Sequence, residues 1–350
     1  VAGTRLRILL ATVTATVAAA ASPAAAGPSP LGGTTAIHAC SSHVAVESFS
    51  DALDKQTYEG TFVGNFSALA VDRDGQIAAL SDRSSLFTLR RGSLKPTGVV
   101  GLADDKGAAL DSEGPVVDRD GTRLVSSETE PSVRRYSRDG KILDSLPVPS
   151  ALEVAPAGRA TSNLTFEGLT LLSGGHRLLA GMEGSLSGDT SGIVRFQTWT
   201  RQGRHFSLAA QYGYRTDTGL GVSETTATPD GRLLVLERGF TAGYGNTVRL
   251  YLADLRHATD TRRINTLAGQ DGVRLARKTL LADLLDCPSL GAQAKQPQPN
   301  PLLDNIEGMT ITGASHGRLN VLLASDDNQN TAQITRLYSL RVRLPHPSAH

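Results

Sequence analysis

Residues 66–89 read FSALAVDRDGQIAALSDRSSLFTL, and the order of features in this stretch decides the fold. A small residue, Ser67, opens a short apolar strand. The turn Asp72-Arg73-Asp74-Gly75 follows, where Gly supplies the positive φ that a tight hairpin needs. A second apolar run, Ile77–Leu80, leads to the acid Asp82, and a third strand closes the unit. The same order returns at 112–137, 166–197, 223–254 and 306–342, with hairpin turns such as Asp118-Arg119-Asp120-Gly121 and Pro229-Asp230-Gly231. Runs such as Leu233–Leu236 are continuously apolar, as suits strands buried on both faces between stacked sheets.

Units of three or four short strands recurring at about 45 to 60 residues are the pattern of propeller blades. The chain is therefore read as all-β, a β-propeller. Sandwich strands do not recur as similar segments, which argues against that alternative. Five blades are legible. The 83 residues between Glu224 and Glu307 leave room for a degenerate sixth, so six are expected. That gap also holds a Pro/Gln-rich stretch, Gln293 to Pro301, read as a surface loop. Helical periodicity is nearly absent, with one short helical turn expected at Lys278 to Asp286.

The 350 residues allow one large domain or two ordinary ones, and 39% hydrophobic content is enough for a core. Residues 1–26 have the form of a signal peptide: Arg5 and Arg7, an apolar Ala-rich run, then Ala24-Ala25-Ala26. Val1 fits an alternative start codon, which suggests a bacterium. Residues 27–57 would lead into a propeller at 58–342, followed by a tail at 343–350. Without Arg5 and Arg7, the 35 basic residues no longer outnumber the 34 acids, and the mature chain is near neutral. No basic stripe indicates nucleic acid. No stable membrane insertion is expected, and a monomer is. The two cysteines, Cys40 and Cys287, form one disulfide in an oxidising compartment or stay as two buried thiols.

The acids carry the functional signal. Glu113, Glu167, Glu224 and Glu307 stand at the entry to the first strand of a unit, where Ser67 stands in the first repeat. Asp82, Glu128, Glu183, Glu237 and Asp326 stand at the exit of the second strand. A hairpin returns its second strand beside its first, so both sets should rim the central channel. Carboxylates that close need cations or basic partners. Hard oxygen donors in a flexible ring suit Ca²⁺ first, with Mg²⁺ or Mn²⁺ behind it. Arg83, Arg135, Arg215 and Arg238 are near enough in sequence to serve as partners. The bland alternative is that the acids form turns and blade-to-blade hydrogen bonds.

Several pieces carry a family likeness: Gly64 to Leu69 with Ser81-Asp82-Arg83, then Asn163 to Leu169 (NLTFEGL), Leu236-Glu237-Arg238, Asp304 to Met309 (DNIEGM) and Ser325 to Asn328. As an ordered set, from about Tyr58 to Val342, the sequence resembles the phytase-like, or "esterase-like activity of phytase", family of secreted bacterial proteins. The resemblance implies a β-propeller and hydrolysis of phosphoesters or other esters. Propeller phytases use calcium ions to bind phosphate and activate water, so it also implies a metal.

No G-x-S-x-G elbow occurs, and His176, His205, His257 and His316 fall outside the acidic motifs, which argues against a serine triad. Metal-assisted hydrolysis of a small anionic ester is the stronger expectation. Glu167, Glu237 and Glu307 are the expected catalytic acids. Asp82, Glu113, Glu183, Glu224 and Asp326 are the expected metal ligands, with Arg83 and Arg238 orienting the substrate. A non-catalytic binding propeller and a lactonase-like hydrolase remain as alternatives.

Overall fold

A computed structural model describes residues 38–346 except 271. The signal peptide expected at 1–26 and the last residues of the tail lie outside the described residues. The described residues form five antiparallel four-stranded sheets and one two-stranded hairpin, Gln56–Tyr58 with Thr61–Val63. Blade 1 runs Phe66–Val71, Ile77–Ser81, Ser85–Leu89, Pro96–Gly101. Blade 2 runs Ser112–Val117, Arg123–Ser127, Ser132–Tyr136, Ile142–Ser145. Blade 3 runs Phe166–Leu171, Arg177–Met182, Ile193–Gln202, His205–Arg215. Blade 4 runs Gly221–Ala227, Leu233–Thr241, Gly245–Asp254, Arg277–Asp283. Blade 5 takes Ile306–Ser315, Arg318–Ser325 and Leu337–Val342 from the end of the chain.

The fourth strand of blade 5 comes from the other end of the chain. Val44–Ser50 pairs antiparallel with Leu337–Val342, from Val44 opposite Val342 to Ser50 opposite Leu337. Val44–Ser50, within the segment 27–57 expected to lead into the propeller, thus completes its last blade. The first strands of the blades neighbour one another in a closed ring, blade 1 to 2 to 3 to 4 to 5 and back to 1. A closed ring leaves short sheet edges only, which is how propellers avoid edge pairing.

The expected sixth blade is corrected to five. The long gap is filled by two extended outer strands of blade 4 and by irregular segments at 255–276 and 287–305. Likewise the turn expected at Lys278–Asp286 is mostly strand, with one 3₁₀ turn at Leu284–Asp286.

Apolar side chains pack between adjacent blades. Phe66, Ile77 and Phe87 of blade 1 meet Leu322, Ala324 and Leu337 of blade 5. Ala78 and Leu80, on the other face of the blade 1 sheet, meet Val125 and Tyr136 of blade 2. Each central strand is buried on both faces, which explains why Ile77–Leu80 and Leu233–Leu236 are apolar without alternation. The turn glycine Gly75 has φ 81° and its N–H donates to Asp72 O at 2.9 Å, and Gly121 does the same toward Asp118. Cys40 and Cys287 are disulfide-bonded, with 4.0 Å between Cα atoms, and close a chain separation of 247 residues. The bridge ties the lead-in of the closing strand to the segment after blade 4. No helix among the described residues is long and apolar enough to cross a membrane.

Candidate functional site

The first strand of every blade carries an irregularity in register at the same place. Five pairs precede it: Phe66 with Ser81, Ser112 with Ser127, Phe166 with Met182, Val222 with Glu237, and Ile306 with Ser325. Beyond each pair the first strand holds one residue more than its partner. Such a bulge bends the strand and re-aims a side chain. The residue after the pair on the first strand is Ser67, Glu113, Glu167, Ser223 or Glu307. On the second strand it is Asp82, Glu128, Glu183, Arg238 or Asp326. These two rings surround the axis of the propeller.

Glu224 and Glu237 are each one residue out of this register, and neither lines the central cavity. Glu224 is buried beneath it, accepting from the N–H of Thr225 at 2.8 Å and also from those of Leu169 and Met309. It therefore joins the first strands of blades 3, 4 and 5. Glu237 points into the sheet, accepting from the Tyr214 hydroxyl at 2.7 Å, Asp217 N at 2.7 Å and Lys278 Nζ at 2.5 Å. The expectations of a metal ligand at Glu224 and a catalytic acid at Glu237 are corrected accordingly. Blade 4 instead brings Ser223 to the position that blades 2, 3 and 5 fill with Glu and blade 1 with Ser67, and Arg238 to the one that every other blade fills with an acid.

The central cavity measures about 550 Å³. Eight carboxylates line it: Asp82, Asp111, Glu113, Glu128, Glu167, Glu183, Glu307 and Asp326. Against them stand two guanidinium groups, Arg83 and Arg238. Arg83 leans toward solvent, its Nε 3.5 Å from Asp82 Oδ1 with 63% of its side chain exposed. Arg238 reaches inward, its Nη2 2.9 Å from Glu307 Oε1 and 3.8 Å from Glu183 Oε1. Arg135 is turned away, bound to Asp118 at 2.7 Å, and Arg215 lies outside the central cavity. None of the described histidines lines it.

Two sets of three carboxylates offer oxygens that all lie within 4.8 Å of one another: Asp111, Glu113, Glu128 and Glu128, Glu167, Glu183. Glu128 belongs to both. Burial, reinforced by the neighbouring acids, pushes Glu113 and Glu167 well above the usual carboxylate range. Burial likewise raises Glu128 to about 7, with repulsion from Glu183 and Asp111 next. Asp82 is raised to about 7 by burial and then by Asp326. Asp326 goes to about 8 by burial and then by Glu307. Glu307 rises to about 7 by burial, although Arg238 and the Asn305 amide, 2.9 Å away, oppose the shift. With Glu183, which burial also raises against the pull of Arg238, seven acids are pushed in one direction in one cavity, marking a place where negative charge lacks compensation.

Residues not foreseen from the sequence complete the walls. Asp111 stands two positions before Glu113, a spacing that brings both to one side of an extended chain. Asn246, from the third strand of blade 4, is 1% exposed, and its Nδ2 has no partner within the chain. Gln296 comes from the Pro/Gln-rich stretch read as a surface loop, which instead folds against the cavity. Gln298 of the same loop accepts from Asn246 N at 2.8 Å.

A family model described as "Phytase-like: Esterase-like activity of phytase" matches residues 61–329. No curated protein matches the chain. Among solved structures, one similar fold is a protein assigned as a gluconolactonase, at 13% identity and TM-score 0.43. It spans 83% of this chain and 78% of its own. Another is a gluconolactonase from Xanthomonas campestris, at 14% identity and TM-score 0.40, spanning 80% of this chain and 73% of its own.

Proposed function

The chain belongs to the phytase-like family, and from that premise we propose that it is a secreted hydrolase of small anionic esters, phosphoesters first, dependent on a divalent cation. The observation that carries this reading is the pair of carboxylate triads sharing Glu128. Their donor chemistry fits a hard cation: oxygens alone, buried or half-buried, with no Lys or Arg bonded to Asp111, Glu113, Glu128 or Glu167. Ca²⁺ suits so many flexible carboxylates better than Mg²⁺, which prefers fewer protein ligands. Asp111, Glu113, Glu128, Glu167 and Glu183 would hold it. When bound, the cation polarises the ester oxygen and offsets charge gained in the transition state.

The remaining groups act on the substrate and on water. Arg238, the one inward-pointing guanidinium, orients the anionic head, because its planar fork matches phosphate oxygens. Glu307, expected to be catalytic, anchors Arg238 instead. Asp82 suits the role of base: it lines the cavity outside both triads, and its Oδ1 accepts no hydrogen bond within the chain. Asp82 Oδ1 takes a proton from the attacking water as its oxygen bonds to phosphorus and the P–O bond to the alcohol breaks. The departing alcohol oxygen takes up a proton from that carboxyl, directly or through solvent. The Cys40–Cys287 disulfide supports an oxidising, exported location for these steps. The bacterial source expected from the sequence is part of the same reading.

A panel of 4-nitrophenyl phosphate, phytate, simple carboxyl esters and lactones tests the proposal, each with Ca²⁺ and with chelator. Phosphoester turnover that the chelator abolishes is the expected result. Preferential turnover of lactones would reassign the substrate. A folded protein that turns over none of them would make the propeller a binding module.

A further inference from the structure

A second cavity opens beside the first, between blades 3 and 4 on the same face. It measures about 650 Å³ and shares Glu183, Arg238 and Phe240 with the central one. The two are therefore adjoining rooms with a common wall. Their chemistry differs sharply. The side groove has only two acids on its walls, Glu183 and Asp217. Asp217 is already held by Lys278 at 2.8 Å and by Arg249 and Tyr251 at 2.5 Å.

Five glycines, Gly184, Gly192, Gly219, Gly221 and Gly239, are among the residues that line the side groove. At Gly239 a Cβ would fall 2.6 Å from Gly219 O, at Gly184 2.8 Å from Leu164 Cβ, and at Gly221 2.8 Å from Glu183 Cγ. Only glycine permits these close approaches, so backbone forms part of the wall, with Ser185, Ser191, Thr216 and Thr218 beside it. Leu164, 38% exposed, and Phe240, 56% exposed, flank it, with Leu220 alongside. Apolar side chains left open beside a polar centre are the usual make-up of a ligand pocket.

We propose that this groove seats the uncharged, apolar arm of the ester whose anionic head lies at Arg238. Continuity carries the assignment. Arg238 and Phe240 sit two residues apart on one strand, so their side chains share a face of the sheet, one toward the head and one toward the arm. The substrate class is then a monoester of an aryl or similarly flat apolar alcohol, and not a polyanion such as phytate. A polyanion would place further phosphates against Leu164, Leu220, Phe240 and uncharged hydroxyls, with Arg215 as the groove's only cation besides Arg238.

The proposal rests on the hydrolase reading for the head group, and binding separates the two. Phenylphosphonate and methylphosphonate, which cannot be hydrolysed as esters, are titrated calorimetrically into the mature chain in calcium buffer. The phenyl compound should bind about tenfold tighter, the scale expected from burying one aryl face. Ser191→Trp, which fills the groove from an exposed position, and Leu220→Ala should each collapse that ratio, with unfolding temperatures checking that both variants fold. Equal affinities in the wild type, or an unchanged ratio in both variants, would overturn the proposal. So would inositol hexakisphosphate binding more tightly than phenylphosphonate. A retained phenyl preference in a protein that hydrolyses no ester would instead sink the hydrolase reading and leave the groove standing.

Discussion

Arg238 Nη2 lies 2.9 Å from Glu307 Oε1, joining blade 4 to blade 5 inside a cavity that is otherwise almost wholly acidic. The contact exists because blade 4 breaks the acidic pattern of its neighbours. Where blades 2, 3 and 5 bring Glu128, Glu183 and Asp326 to the axis, blade 4 brings a guanidinium. That one exchange sets the charge balance of the site, and several consequences can be measured.

Arg238→Ala should raise KM for an anionic substrate more than it lowers kcat, since the group positions the head. It should also destabilise the metal-free protein at pH 7.5 by about 1–3 kcal/mol, because Glu307 loses its only nearby cation. At pH 5 the cost should be much smaller, since Glu307, already raised to about 7, is protonated there. Denaturant titrations of both proteins at the two pH values check this. An equal cost at both would count against the ion pair.

The carboxylates also set the pH response of the chelated protein. Asp82, Glu128 and Glu307 near 7 and Asp326 near 8 lie above the ordinary range near 4. Between those limits the folded state binds more protons than the unfolded state, so stability falls as pH rises. Below about pH 4 both states are protonated and the effect is fully favourable to the fold. Without calcium, Tm should drop by about 5 °C or more from pH 5 to pH 8. Saturating Ca²⁺ should abolish or reverse the trend.

Glu128→Gln removes the residue common to both triads, and Glu237→Gln removes one that lies outside the cavity. The first should lower calcium affinity at least tenfold by calorimetry with little loss of fold. The second should leave calcium affinity unchanged and cost about 1–3 kcal/mol, because the amide offers one acceptor oxygen where the carboxylate offers two to Tyr214, Lys278 and Asp217 N, and Lys278 loses a charged partner. The opposite pattern would restore Glu237 to the site.

The disulfide spans 247 residues and secures the strand that closes blade 5. Serine at both Cys40 and Cys287 should lower stability by about 3–5 kcal/mol without changing the calcium stoichiometry. Limited proteolysis of that variant should cut first near Val44–Ser50.

Much of the fold was legible because each blade repeats the same apolar strands and glycine turns. The number of blades was not, since the outer strands of blade 4 are long and its connections are irregular, which imitates a missing unit. The site was legible in blades 1, 2, 3 and 5 and misread in blade 4 for a local reason. Aligning the repeats on their acids matched Glu224 and Glu237 to their neighbours. Aligning them on the buried apolar residue before the bulge, Phe66, Phe166, Val222 and Ile306, gives Ser223 and Arg238 instead. A one-residue slip turns a side chain to the other face of a strand, so the two alignments place different chemistry at the axis. Asn246 and Gln296 were hidden differently. They reach the cavity from an outer strand and a loop, and no repeat marks them.

The central claim is that hydrolysis depends on a divalent cation held by the acids around Glu128. It is tested most directly by the rate of 4-nitrophenyl phosphate hydrolysis by chelator-stripped mature protein as free calcium is raised. The account predicts no rate above background without calcium, then a saturable rise that Glu128→Gln shifts to higher concentration. A substantial rate that is the same with chelator and with calcium would contradict it.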